Sequence, residues 1–160
     1  MAKHPFGPII FKDSKILILG SFPSLKSFEN SFYYAHPKNQ FWKILAEISG
    51  YPVNNRDQKI WLLKELKIAL WDIVASCNRE NSSDNNLKDI VPNDIEKLLQ
   101  NYPSLKTIAF TSKLAQKVYN KHFKELGIET IYLPSPSPAY ASMSLEEKVA
   151  KYRELLGDIL

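Results

Sequence analysis

Four short apolar runs constrain this chain most: KILILG (Lys15 to Gly20), IALWDIV (Ile68 to Val74), TIAFTS (Thr107 to Ser112) and ETIYLP (Glu129 to Pro134). Runs this short that lack strict polar alternation suit strands buried on both faces, as in a parallel sheet. Between them lie segments of helical period. Phe41, Ile44, Leu45 and Ile48 follow the i, i+3, i+4, i+7 pattern, and Asn93 to Gln100 opens with an Asn able to cap and has Glu96 three residues later. The last segment begins SLEE (Ser144 to Glu147), a capping box, and continues through Leu145, Val149, Tyr152, Leu156 and Ile159. Strands alternating with helices predict an α/β fold, a three-layer α/β/α sandwich with a central four-stranded parallel sheet. Ligands of such sheets sit beyond the carboxyl ends of the strands, where the strand order reverses. That rule selects two loops, the one after KILILG and the one after ETIYL.

The 160 residues are expected to form a single domain, 1–160, large enough to bury its core without staples. No apolar run approaches the roughly 18 residues of a membrane span, and MAKHPFGPIIF lacks the apolar core of a secretory signal, so a cytoplasmic protein without membrane contact is expected. One cysteine, Cys77, and the dispersed His4, His36 and His122 give no zinc or iron–sulfur spacing, so no metal is expected. A net charge of +4 is compatible with a polyanionic partner without requiring one. Lys113, Lys117, Lys121 and Lys124 recur at helical spacing, and could be either a solvated helix face or a phosphate-binding one. CNRENSSDNN (Cys77 to Asn86) reads as a polar loop inside the domain.

The first selected loop, from Gly20 to Trp42, contains Phe22, Phe28, Phe32, Tyr33 and Tyr34, with amides at Asn30 and Asn39. It has no glycine-rich phosphate cradle, and its lone carboxylate is Glu29. Flat aromatics can stack on a heterocycle and amides can read a base edge or hold a water, yet any one aromatic taken alone is more simply core filling. Asn39, two residues after Pro37, could equally cap a helix, and His36 suits a structural hydrogen bond better than a general base. The second loop, PSPSPAY, has prolines at 134, 136 and 138 and must leave the sheet as a stiff segment. It could be a plain connector, or a preordered wedge for a DNA groove with Ser135 and Ser137 on phosphates.

Together the two loops resemble those of the uracil-DNA glycosylase superfamily. In its mismatch-specific branch a Gly-x-Asn-Pro turn follows the first strand and Phe-Ala-His-Pro-x-Asn-x-Phe-Trp comes after a spacer. Here GSFPS (Gly20 to Ser24) occupies the first place and YAHPKNQFW (Tyr34 to Trp42) matches the second, while LPSPSPA resembles the superfamily's Pro-Ser minor-groove loop. Phe22 stands where that branch has its catalytic Asn. The hypoxanthine-DNA glycosylase branch is similar in having GSFPS at this point and in relying on the later amide, here Asn39. The resemblance therefore implies a monofunctional enzyme without a cofactor that acts, as a monomer, on double-stranded DNA containing deaminated bases, above all hypoxanthine. It implies Asn39 as the catalytic residue, Gly20, Ser21, Phe22 and Tyr34 as base-binding, with the backbone amides of Ser21 and Phe22 facing the leaving purine. Pro134, Ser135, Pro136, Ser137 and Pro138 would bind DNA. The alternatives are a mismatch-type glycosylase acting on uracil or thymine opposite guanine, a non-catalytic nucleic-acid binder, and an enzyme of free nucleotides.

Overall fold

The computed structural model describes residues 2–4, 6–23, 27, 32–78, 87–137 and 140–157. Four strands, β2 (Ile16–Gly20), β3 (Ile68–Asp72), β6 (Thr107–Phe110) and β7 (Glu129–Tyr132), form a parallel sheet in the order β3-β2-β6-β7. The register runs Ile16 beside Ile68 and Thr107, and ends with Gly20 beside Asp72. All five residues of β2 are buried, which requires that both faces of the sheet be covered. Ile16 and Ile18 pack on one side with residues of α1 (Phe41–Ser49), α2 (Arg56–Leu66) and α5 (Leu145–Leu156). Leu17 and Leu19 pack on the other with residues of α3 (Ile95–Asn101) and α4 (Lys113–His122). The expected α/β/α sandwich is thus present, its core divided in two by the period-2 alternation of each strand.

A second, antiparallel sheet was not foreseen. It has the order β1-β4-β5, from β1 (Ala2–Lys3), β4 (Val74–Asn78) and β5 (Lys88–Pro92). IALWDIV is accordingly not one strand. After Asp72 the chain swings across the end of β2, where Ile73 N–H donates to Gly20 O at 2.8 Å and Val74 N–H to Ser21 O at 3.0 Å. It then enters β4, so Cys77 and Asn78 belong to a strand rather than to the polar loop; 79–86, the rest of that stretch, lie outside the described residues. Apolarity continues through both segments, so composition hides the break.

Helix ends follow local chemistry. Ser144 and Glu147 form the expected capping box at the start of α5. At α3 the cap is Asp94, whose Oδ1 accepts from Lys97 N–H, and not Asn93, whose Nδ2 instead donates to Asp72 O at 2.7 Å. A tertiary acceptor has claimed the amide that local sequence assigned to the helix. Ile159 lies outside the described residues. The outer edge of β3 is covered by the N-terminal segment, through paired hydrogen bonds between Ile9 and Leu70. Among the described residues no helix is long and apolar enough to cross a membrane.

Candidate active site

From β2 the chain passes to β3 on one side and later to β6 on the other, so the strand order reverses between β2 and β6. The carboxyl ends at this point are Gly20, Asp72 and, just after β6, Thr111. A Cβ placed on Gly20 would lie 2.5 Å from Asp72 Oδ1, 3.3 Å from the Tyr34 hydroxyl and 3.5 Å from Thr111 Oγ1. Three polar groups therefore converge above a strand end that carries no side chain. The Tyr34 hydroxyl shares a 3.2 Å hydrogen bond with Thr111 Oγ1.

Tyr34 is held there by a positive φ of 53° and by stacking on Phe41, ring centroids 4.0 Å apart. One face of its ring is thus taken by the core. Burial first, and the Asp72 carboxylate second, push the phenols of Tyr33 and Tyr34 well above the ordinary tyrosine range. Both remain neutral hydrogen-bonding groups at any physiological pH. Phe22 is buried, with its ring 5.9 Å from that of His4.

Asn39 follows a turn in which its N–H donates to His36 O at 2.9 Å, with Pro37 at the position where a fixed φ is favoured. Its Oδ1 accepts from Phe41 N–H at 2.9 Å, satisfying an orphan donor at the entrance of α1. The capping role open to this residue is therefore occupied. The amide is also fixed in place by it, and this bond uses neither the second lone pair of Oδ1 nor the Nδ2 hydrogens. His36 has the structural role expected of it, its Nδ1 accepting from Lys38 N–H.

The Pro-Ser loop lies against this turn. Gln40 N–H donates to Pro136 O at 2.9 Å, joining segments from opposite halves of the chain. Pro134 and Pro136 are buried, whereas Ser135 and Ser137 are half-buried. The stiff segment expected from the sequence is thus anchored through Pro134 and Pro136, and the two serines are its more accessible part. Pro138 lies outside the described residues, as do Phe28, Glu29, Asn30 and Ser24. Of the site residues read from the sequence, Gly20 and Tyr34 meet directly, Asn39 adjoins Pro136 through Gln40, and Ser21 and Phe22 form the turn that continues from Gly20.

Sequence reasoning passed over Asp72, His4, Thr111 and Lys148. Asp72 is 5% exposed, and its Oδ2 accepts from His4 Nε2 at 2.8 Å. The N-terminal segment, read only for the absence of a signal, brings His4 in and accepts the Tyr33 hydroxyl on Gly7 O at 2.9 Å. The one available clue was Asp72 itself, a carboxylate near the end of an apolar run. The lysines of α4 are exposed. The helix starts beside Thr111 and runs away from the carboxyl edge, which leaves Lys113 nearest the site and Lys121 roughly 12 Å further along the axis.

The family model of the uracil DNA glycosylase superfamily matches residues 8–159. This chain belongs to the uracil DNA glycosylase superfamily. It is 36% identical over 141 residues to a protein of Methanosarcina barkeri named hypoxanthine DNA glycosylase, covering 87% of this chain and 89% of the relative. A protein of the same name from Methanosarcina acetivorans is 34% identical over the same shares. Among solved structures, an NMR structure of a candidate uracil DNA glycosylase from Methanosarcina acetivorans superposes with a TM-score of 0.79 at 33% identity, covering 96% of this chain and 98% of that one. Both loops leave carboxyl ends of the parallel sheet, one after β2 and the other after β7. The pair of relatives agrees with the branch to which Phe22 pointed.

Proposed function

We propose that this protein is a monofunctional DNA glycosylase that excises hypoxanthine from double-stranded DNA. The observation that supports the reading best is the Gln40–Pro136 hydrogen bond, because it joins the turn that carries Asn39 to the Pro-Ser loop beyond the carboxyl edge of the sheet. The named activity of the two Methanosarcina relatives supports hypoxanthine over uracil. In this reading the target nucleotide leaves the stack at a cost of a few kcal/mol, smallest at a mispair. Ser135 and Ser137 meet the DNA backbone, with Lys113 near the phosphates. The purine lies against the Gly20–Phe22 turn, with Phe22 and the rigid Tyr34–Phe41 pair as aromatic walls.

Water then attacks C1′, the bond from C1′ to the base nitrogen breaks, and the base departs with the bonding electrons and takes up a proton. Positive charge grows on the sugar and negative charge on the base, so the work is done by placed dipoles and a placed water rather than by a strong nucleophile. Asn39 orients that water or the base, and the backbone amides of the Ser21–Phe22 turn face the leaving purine. No lysine is assigned to attack the sugar, so the product is an intact strand with an abasic site.

The test is to incubate the protein with duplexes carrying one hypoxanthine, uracil, xanthine or mispaired thymine, then treat with alkali. Strand breaks are expected at hypoxanthine and only after alkali. Asn39→Ala should lower the excision rate on the order of 100-fold or more while duplex affinity stays within a few-fold. Breaks at uracil alone would favour the mismatch-type enzyme, and no breaks in any duplex would favour a non-catalytic binder. Full activity of Asn39→Ala would remove Asn39 from the mechanism.

A further inference from the structure

Lys148 is 1% exposed on α5, where a helix packed on the sheet would ordinarily place an apolar residue. Two hydrogen-bond acceptors and one aromatic ring surround its ammonium group. Nζ donates to Gln40 Oε1 at 2.7 Å and to Ser137 O at 3.3 Å, and lies 5.4 Å from the centre of the Tyr140 ring. Neither hydrogen-bond acceptor is a carboxylate, so the charge is held by neutral dipoles. Burial strips an ammonium of its hydration, a loss that its partners only offset, which makes this an expensive way to fill space.

The contacts form a clamp. Along the Pro-Ser loop the carbonyl of Pro134 accepts from the Tyr152 hydroxyl at 2.6 Å, that of Pro136 from Gln40 N–H, and that of Ser137 from Lys148. Tyr152 and Lys148 are one turn apart on α5, so a single helix face grips the loop at two points. Lys148 alone also grips the residue that follows Asn39.

We propose that Lys148 is a positioning residue that couples the Pro-Ser loop to the Asn39 turn, so that insertion of the loop into DNA and placement of the Asn39 amide occur in one geometry. The proposal rests on the glycosylase reading given above. It assigns Lys148 no contact with DNA, base or water; its effect passes through the Gln40 side chain and the Ser137 carbonyl. Misplacement of a reacting group by about 1 Å can cost on the order of 100-fold in rate, so loosening the clamp should act on the bond-breaking step more than on binding.

The experiment compares Lys148→Met, Lys148→Arg, Gln40→Ala and the double variant of Lys148→Met with Gln40→Ala. Lys151→Met, an exposed lysine on the same helix, serves as control. Two quantities are read: the single-turnover excision rate with duplex affinity, and hydrogen exchange of the residue 40 amide in the free protein. Lys148→Met should lower the rate by roughly 10- to 100-fold with affinity changed less than about threefold. It should speed exchange at residue 40 while the amides of Leu17 to Leu19 stay protected. Gln40→Ala removes the same contact from a less buried position and should show the same pattern should Lys148→Met not fold. The double variant should be no worse than the poorer single one, because both break one link. Lys148→Arg, which keeps the charge, should recover part of the rate.

Unchanged rate and unchanged exchange in both single variants would overturn the clamp, as would additive losses in the double variant. If the unmodified protein released no base, the glycosylase reading would fall, whereas the exchange measurement would still decide whether Lys148 ties the two loops.

Discussion

A Cβ on Gly20 would stand 2.5 Å from Asp72 Oδ1, a separation that side chains do not tolerate, and the neighbouring Tyr34 and Thr111 oxygens close the remaining directions. Asp72 cannot retreat freely, because its other oxygen is bonded to His4. Gly20→Ala should therefore lower stability by about 1–3 kcal/mol, as overpacking commonly does, and reduce excision more than duplex affinity. Urea unfolding and single-turnover kinetics of the same variant check both parts. Asp72 and Asn39 differ in how visible they were. Asn39 stands in a motif whose spacing could be read, whereas Asp72 gains its importance from lying beside Gly20 in the neighbouring strand, a relation that no local pattern encodes.

At the level of elements, α5 does more than cover the sheet. Its Tyr152 and Lys148 hold the Pro-Ser loop, and its capping box fixes where the helix begins. Ser144→Ala removes the acceptor for Glu147 N–H and should cost about 1 kcal/mol, measured as a lower urea midpoint at unchanged slope. The capping box was legible because its chemistry is contained in four consecutive residues. The small sheet was not, since β1 spans two residues and β5 is a mostly exposed strand without strict alternation, with Asp89 at a φ of 53°. Such strands lack a periodic signal and exist through their partners: Lys3 pairs with Ser76, and Val91 with the same residue from the other side.

Across the whole molecule, three phenols at or near the site respond together to pH. Burial is the leading cause that raises Tyr33, Tyr34 and Tyr152 above the ordinary value near 10, with Asp72 adding to the first two. In the unfolded chain these groups lose their protons near pH 10, while in the folded protein they keep them. The unfolded state then binds fewer protons, so the stability present below that pH falls as pH rises through it, by up to about 1.4 kcal/mol per pH unit for each tyrosine. The part of the tyrosinate absorbance that belongs to these three buried phenols should appear together with alkaline unfolding rather than before it. Independent ionisation of all tyrosines in a folded protein would contradict this.

The sequence by itself determined the layers, because uninterrupted apolar runs separated by helical periods admit few folds other than a covered parallel sheet. It also determined the superfamily, since YAHPKNQFW and the Pro-Ser loop are contiguous stretches whose residue order survives without coordinates. The tertiary structure alone decided what surrounds them: His4 against Asp72, Asp72 against Gly20, and Lys148 between Gln40 and Ser137. Those contacts join residues far apart in the chain. Their energetic value comes from burial, where an unpaired charge or polar group is costly, and burial is a property of the folded molecule rather than of any segment of it.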